Sequence, residues 1–324
     1  MMEWYPLIFE PIYKEKIWGG SKLNELKSID PAISNLGESW EISDVDDTIS
    51  IVKNGVLAGT SIKELLELHG SELLGKPVFE RFGSRFPLLI KYIDTAQDLS
   101  IQLHPDDQLA QNKHDSFGKT EMWYIMDASP EAQLTLGFKE ASDEFAFAKA
   151  ITSNQLLNLL NRHQVTPGES FVIKPGFVHA IGAGITLAEI QQSSDITYRV
   201  HDYGREDAHG NQRDLHVQEA IAAADYSKAS DYQLHYNEDQ YDRQQLVKTI
   251  YFKTDILRFK EACPIELSTG FSFTILMNVG ASCELVHAGK TYVFESVQTY
   301  LIPAAVENIS VTPHGEGKLL VVSV

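Results

Sequence analysis

The stretch "FPLLIKYIDTAQDLSIQLHPDD" (86–107) decides how the rest of the chain is read. Its first eight residues, "FPLLIKYI" (86–93), are an apolar run of strand length bounded by polar residues, which predicts a buried strand. A few residues on, "LSIQLHPDD" (99–107) sets Gln102 and His104 two apart before Pro105 stops the pattern. Residues two apart on a strand face the same side, so an amide and an imidazole point at one spot.

The same texture runs outward in both directions. "EMWYIMDA" (121–128), "AQLTLGF" (132–138), "SFVIKP" (170–175), "GITLAEIQQ" (184–192) and "ITYRVHDYG" (196–204) read as short strands with turn punctuation. After residue 245 come "KTIYFKTDILRFK", "FSFTILMNVG", "SCELVHAG", "KTYVFE" and "KLLVVSV". Strands of this length and spacing predict β-sandwiches or barrels. Helical periodicity is confined to 61–75, where Ser61 reads as an N-cap, to 142–163 as one or two helices, and to 215–225. The polar segment 225–245 has few apolar anchors and reads as a linker, which divides the chain into 1–240 and 241–324. "GESFVIKPGFVHAI" has a weak echo in "ESVQTYLIPAAVENI", and the second copy carries no histidine.

Composition bounds the class. With 324 residues, 43% hydrophobic and 22% charged, the chain reads as a soluble globular protein of two domains. A net charge of -18 and a pI near 5.0 argue against nucleic acid or an anionic membrane as partner. A small anionic substrate then needs a local basic pocket. The two cysteines, Cys263 and Cys283, form no CxxC and suggest neither a disulfide framework nor a thiolate zinc site. The opening residues lack the pattern of a signal peptide, and no run of 18 apolar residues exists, so the expected compartment is the cytoplasm.

Of eleven histidines, most fall in helices, polar loops or turns, where surface roles are the ordinary reading. His104 and His179 differ. His104 shares a strand face with Gln102, Glu121 opens the next apolar strand, and His179 follows the Pro-Gly break of "KPGFVH". Two imidazoles, a carboxylate and an amide oxygen make a donor set suited to zinc, while the histidines plus the carboxylate suit iron(II) equally. The bland alternative is a pair of hydrogen-bonded interior histidines. Lys119 lies on the face of Glu121, Glu189 shares a face with Gln191, and Asp195 and Arg199 follow. Charges on half-buried strands are costly unless paired or functional. For Arg199 the bland alternative is an ion pair with Asp195 or Asp202.

"WGG", "GESWEIS", "PLLIKYIDTAQDLSIQLHPDD", "GKTEMWYI" and "VIKPGFVHAIGAGITLAEIQQSSDITYRVHDYGR" resemble the type I phosphomannose isomerases of the short bacterial form. The likeness is dense from about residue 5 to 205 and looser to the end. It implies a mainly β double cupin, two jelly-roll-like barrels with a small helical insert. It also implies one zinc ion and the interconversion of D-mannose 6-phosphate and D-fructose 6-phosphate, a small sugar phosphate being the partner. Carried over by motif, Gln102, His104, Glu121 and His179 are the zinc ligands, and Lys119, Glu189, Asp195 and Arg199 line the sugar-phosphate pocket. Trp18 and Ser100 also match substrate-pocket positions. The chain departs from the longer members in having Gly118 where they carry the histidine of H-K-P-E, and in lacking most of their helical domain.

Moving a carbonyl between C1 and C2 calls for an enediol, an electrophile and a base near neutrality. Glu189, Lys119 and Asp195 are the candidate bases. Arg199 is suited to the enediolate or to the phosphate, since no glycine-rich phosphate loop exists. The second half offers His287 and His314 without a clustered carboxylate and reads as non-catalytic. A cupin iron(II) oxygenase built on His104, Glu121 and His179, and a non-catalytic sugar-phosphate binder, are the competing functions. A monomer and a homodimer both remain open.

Overall fold

The computed structural model describes residues 2–206 and 209–324. Two antiparallel sheets build the first part of the chain. Edge to edge, the seven-stranded sheet runs Ile12–Gly20, Leu36–Ile42, Leu88–Asp94, Ile185–Gln192, Glu121–Ala128, Ser170–Ile173 and Gln233–Leu234. The five-stranded sheet runs Tyr198–His201, Ile101–Leu103, His179–Ile181, Gln133–Phe138 and Leu160–Gln164. A core of Trp18, Ile93, Trp123, Leu134, Leu136, Ile181 and Leu187 lies between them.

Strand alternation explains the layers. In Leu88–Asp94, residues 88, 90 and 92 face away from the five-stranded sheet, into a core shared with Leu65 and Leu66 of a helix and with Ile256, Leu276 and Leu320 of the second part. Residues 91 and 93 face inward. The same parity turns Glu121 and Trp123 inward, and likewise Leu187, Glu189 and Gln191. On the five-stranded sheet, Ile101, Leu103, Val178, Ala180, Tyr198 and Val200 pack outward on Phe147, Leu156 and Ala220. Gln102, His179 and Arg199 are therefore left to the interior.

The second part repeats the plan with a five-stranded sheet, in the order Arg243–Lys248, Lys253–Phe259, Gly317–Ser323, Thr274–Asn278 and Thr299–Ile302. Its four-stranded partner runs Cys263–Ile265, Ile309–Pro313, Cys283–His287 and Lys290–Phe294. The chain is mainly β, with the two consecutive two-sheet units that a double cupin requires. The N-terminal segment ties them together, since Leu7 and Leu301 exchange both backbone hydrogen bonds at 2.8 Å.

The helix at 61–75 is Ile62–Leu74, and Ser61 and Glu64 cap each other reciprocally, the Ser61 hydroxyl accepting from the Glu64 N–H at 3.1 Å. The helical reading of 142–163 holds for Glu144–Thr152 and Leu156–Leu159, but Leu160–Gln164 is a strand. Its alternating burial and its pairing with Gln133–Phe138 decide that outcome. The polar segment 225–245 also contributes structure, because Gln233–Leu234 forms the far edge of the seven-stranded sheet. Pro105 ends the strand as expected, and Asp106 then caps the helix Asp107–His114 by accepting from the Leu109 N–H at 2.8 Å. Among the described residues no helix is long and apolar enough to cross a membrane.

Candidate metal centre

Gln102 sits between two neighbours on the five-stranded sheet, opposite His179 on one side and Arg199 on the other. His104 follows at the strand end, and its carbonyl accepts from the Gly176 N–H at 2.8 Å, so the "KPG" turn is pinned beside it. Glu121 approaches from the facing sheet. The result is a fully buried group of His104, Glu121 and His179 whose ligand atoms all lie within 4.8 Å of one another. Glu121 Oε2 is 3.7 Å from His104 Nε2, and Glu121 Oε1 is 3.4 Å from His179 Nε2.

The backbone fixes the imidazole protons. His104 Nδ1 is 2.8 Å from the Ile196 carbonyl, and His179 Nδ1 is 2.8 Å from the Phe177 carbonyl. A carbonyl only accepts, so both Nδ1 atoms carry hydrogen and both Nε2 atoms turn lone pairs toward Glu121. Burial pushes the His104 imidazole well below its usual range, helped by Lys119 and His179. Burial likewise takes His179 down to about 4, so both rings are neutral near pH 7. Burial lifts the Glu121 carboxyl above the usual carboxylate range against the pull of Lys119. His104 Nε2 and Glu121 Oε1 are buried without a hydrogen-bond partner, and Glu121 Oε2 meets the Lys119 ammonium. Neutral nitrogen lone pairs facing a buried carboxylate are a donor set suited to a divalent cation.

Gln102 borders this group, with its amide nitrogen 3.5 Å from His179 Nε2 and its oxygen accepting from the Ser100 hydroxyl at 3.2 Å. Ser100, itself buried, also accepts from Arg199 Nε at 3.3 Å. Arg199 Nη1 donates to the Asp214 carbonyl at 2.9 Å. Burial, and then Arg213, lower the Arg199 guanidinium from its usual value while Asp202 opposes them, which marks a cation-rich neighbourhood. Asp202 takes the ion pairs with Arg205 and Arg213, so the pairing of Arg199 with Asp195 or Asp202 does not form. Lys119 Nζ lies 3.1 Å from Glu121 Oε2. Trp18 is buried in the apolar wall between the sheets. Asp195 is exposed on the turn 193–196 and does not join the cluster, although its charge helps hold the Lys91 proton.

A second layer escaped the reading of the sequence. Trp40, Lys91, Glu189 and Trp123 stand in one cross-strand row. Glu189 Oε1 is 3.2 Å from Lys91 Nζ, and Glu189 Oε2 accepts from Trp123 Nε1 at 2.9 Å. Burial raises the Glu189 carboxyl, but Lys91, Lys119 and Trp123 outweigh it and keep it ionised. Next to this row, Glu38 accepts from Trp40 Nε1 at 2.6 Å and pairs with Lys16 at 3.3 Å. A lysine inside an apolar strand was the available signal for Lys91.

Comparison with known proteins finds relatives that span nearly the whole chain. A model of the phosphomannose isomerase type I catalytic domain matches residues 7–145. Mannose-6-phosphate isomerase ManA of Bacillus subtilis is 41% identical over 218 residues, 67% of each chain. Putative mannose-6-phosphate isomerase YvyI, also of Bacillus subtilis, is 32% identical over 312 residues, 94% of this chain and 95% of its own. The crystal structure of a mannose 6-phosphate isomerase from Bacillus subtilis superposes with a TM-score of 0.85 at 30% identity, covering 98% of this chain and 99% of that one.

Proposed function

The chain belongs to the type I phosphomannose isomerase family, and from that premise we propose that it interconverts D-mannose 6-phosphate and D-fructose 6-phosphate through an enediol, on one zinc ion. The observation that supports the metal is the pair of partnerless buried atoms, His104 Nε2 and Glu121 Oε1, beside imidazoles whose other nitrogens are committed. His104, Glu121 and His179 would hold the ion, with Gln102 joining once its amide turns its oxygen inward. Two imidazoles, one amide and one carboxylate leave the bound ion a net charge of +1. When bound, zinc supplies a Lewis acid for the sugar's carbonyl and hydroxyl oxygens.

The chain's own groups divide the remaining work. Lys119 is our choice for the proton carrier, because it alone of the three candidates touches the ligand cluster. Glu189, ionised and held by Lys91 and Trp123, supports the site electrostatically. Arg199 grips the phosphate. Its surroundings are rich in cations, and Ser100 fixes its Nε while leaving part of its planar fork to an anion. Trp18 closes the apolar wall, and Asp195 sits at the rim. In this reading residues 1–240 carry the catalysis and residues 241–324 are a non-catalytic second unit.

A coupled assay with mannose 6-phosphate, run with and without a chelator, tests the reading. Turnover is expected to vanish on chelation and to return with zinc. Full turnover in protein verified as metal-free would overturn it.

A further inference from the structure

The stretch "QQSS" (191–194) has no place in the mechanism above, yet it binds both flanks of the metal cluster. Gln191 is completely buried on the interior face, directly opposite Glu121. Its Nε2 donates to the Gln192 carbonyl at 2.9 Å and to the Ser194 carbonyl at 2.5 Å. Both partners only accept, so the amide has one possible orientation. These bonds fold the turn 193–196 back on its own strand. Within the turn, Ser194 N–H donates to the Gln192 carbonyl at 2.7 Å, and Ile196 N–H donates to Ser194 Oγ at 3.4 Å. The Ile196 carbonyl in turn accepts from His104 Nδ1. Gln192 reaches the other flank: its oxygen accepts from Thr120 N–H at 2.9 Å, and its Nε2 donates to Asp107 Oδ1 at 2.9 Å.

We propose that Gln191 is a positioning residue of the metal centre, fixing the turn whose Ile196 carbonyl sets the tautomer and ring orientation of His104. The inference rests on His104 being a metal ligand. Outer partners of a ligating histidine hold its ring in place and raise its basicity, and their loss weakens metal binding. Two features argue against mere packing. Gln191 spends its amide N–H groups on the carbonyls of Gln192, where the strand ends, and Ser194, in the segment that follows, and that segment ends on the carbonyl that His104 uses.

The test is the zinc dissociation constant of Gln191→Met, measured by competition with a chromophoric chelator, with the melting temperature of the metal-free protein followed alongside. Methionine keeps the volume and removes both donors. Zinc binding is expected to weaken roughly 10- to 100-fold. A lowered melting temperature with zinc affinity unchanged would show a purely structural role and overturn the inference. If Gln191→Met does not fold, Gln191→Asn keeps the amide but draws its donors one methylene short of both carbonyls. Zinc binding weaker than in the unaltered protein is then expected, and unchanged affinity overturns the inference. Failure of the unaltered protein to bind zinc would instead strike the metal reading itself, so the two failures are distinct.

Discussion

The two halves of the molecule share a plan and treat buried charge in opposite ways. In the second unit, the buried Asp255 receives two cations on one oxygen, Arg243 Nε at 2.6 Å and Lys253 Nζ at 2.8 Å. In the first unit, Glu121 is equally buried, yet one lysine, Lys119 at 3.1 Å from Oε2, is its cationic neighbour, and two imidazole lone pairs face its oxygens. A buried carboxylate answered by cations is a structural element. One that meets a single lysine and two neutral imidazole lone pairs has metal-type donors gathered around one point. His104, Glu121 and His179 are also the one potential metal-holding group of His, Cys, Asp and Glu among the described residues. Architecture alone therefore does not make the site. The imidazole lone pairs gathered on the buried carboxylate of one unit do.

The severest way to break this contrast is to remove a ligand. His104→Ala takes away a lone pair, and Glu121→Gln takes away the only negative charge in the donor set. Each is expected to reduce bound zinc from one per chain to none and to lower kcat/KM by at least roughly 10³-fold. Metal analysis of the purified variants beside the unaltered protein checks it. Zinc retained at one per chain in His104→Ala would place the metal elsewhere, the second unit included.

Arg199→Ala sharpens the contrast by separating metal from substrate. Its guanidinium bonds Ser100 and the Asp214 carbonyl but no ligand atom of the triad. Zinc content is expected to stay at one per chain while kcat/KM falls about 10²- to 10³-fold, about 3–4 kcal/mol of lost transition-state binding. Normal turnover would remove Arg199 from the phosphate pocket.

How far the sequence reached follows the same physical division. Parity along a strand is local, and it correctly placed Gln102 beside His104 and Lys119 beside Glu121. Burial of the strand Leu88–Asp94 on both faces was legible as an apolar run interrupted by Lys91. Register is a long-range property. The row Trp40–Lys91–Glu189–Trp123 joins residues some fifty to a hundred positions apart, and no local pattern announces it. Lys91 lay inside the stretch that decided the fold, yet its partner Glu189 appears only once the strands are paired. Asp195, carried over by motif, lies exposed on the segment that follows the strand Ile185–Gln192.

The second layer of the first unit gives a smaller, pH-dependent effect. Burial raises the Glu38 carboxyl, but Lys91, Lys16 and Trp40 outweigh it and hold it at about 2, below its usual 4.5. Between those values the unfolded chain binds more protons than the folded one. The stabilisation is therefore complete above pH 4.5 and is lost as the pH falls toward 2. Its full size is on the order of 1–3 kcal/mol. Urea unfolding of the unaltered protein and Glu38→Gln, compared from pH 6 to pH 3, should show the gap between them shrinking below pH 4.5. A gap constant across that range would mean that the charge of Glu38 contributes nothing to stability.

The least effect is expected where the second unit's buried charge is disturbed. Asp255→Asn keeps the shape of the side chain and removes the charge that Arg243 and Lys253 share. Both cations are partly exposed, 26% and 36% at the side chain, so water screens much of the loss. A destabilisation of about 1–2 kcal/mol is expected in the denaturant midpoint. Zinc stoichiometry and kcat/KM should remain those of the unaltered protein, because Asp255 belongs to the unit whose charges are already answered. A fall in zinc content or turnover while the fold stays intact would show that the second unit shapes the metal centre through the core the two halves share.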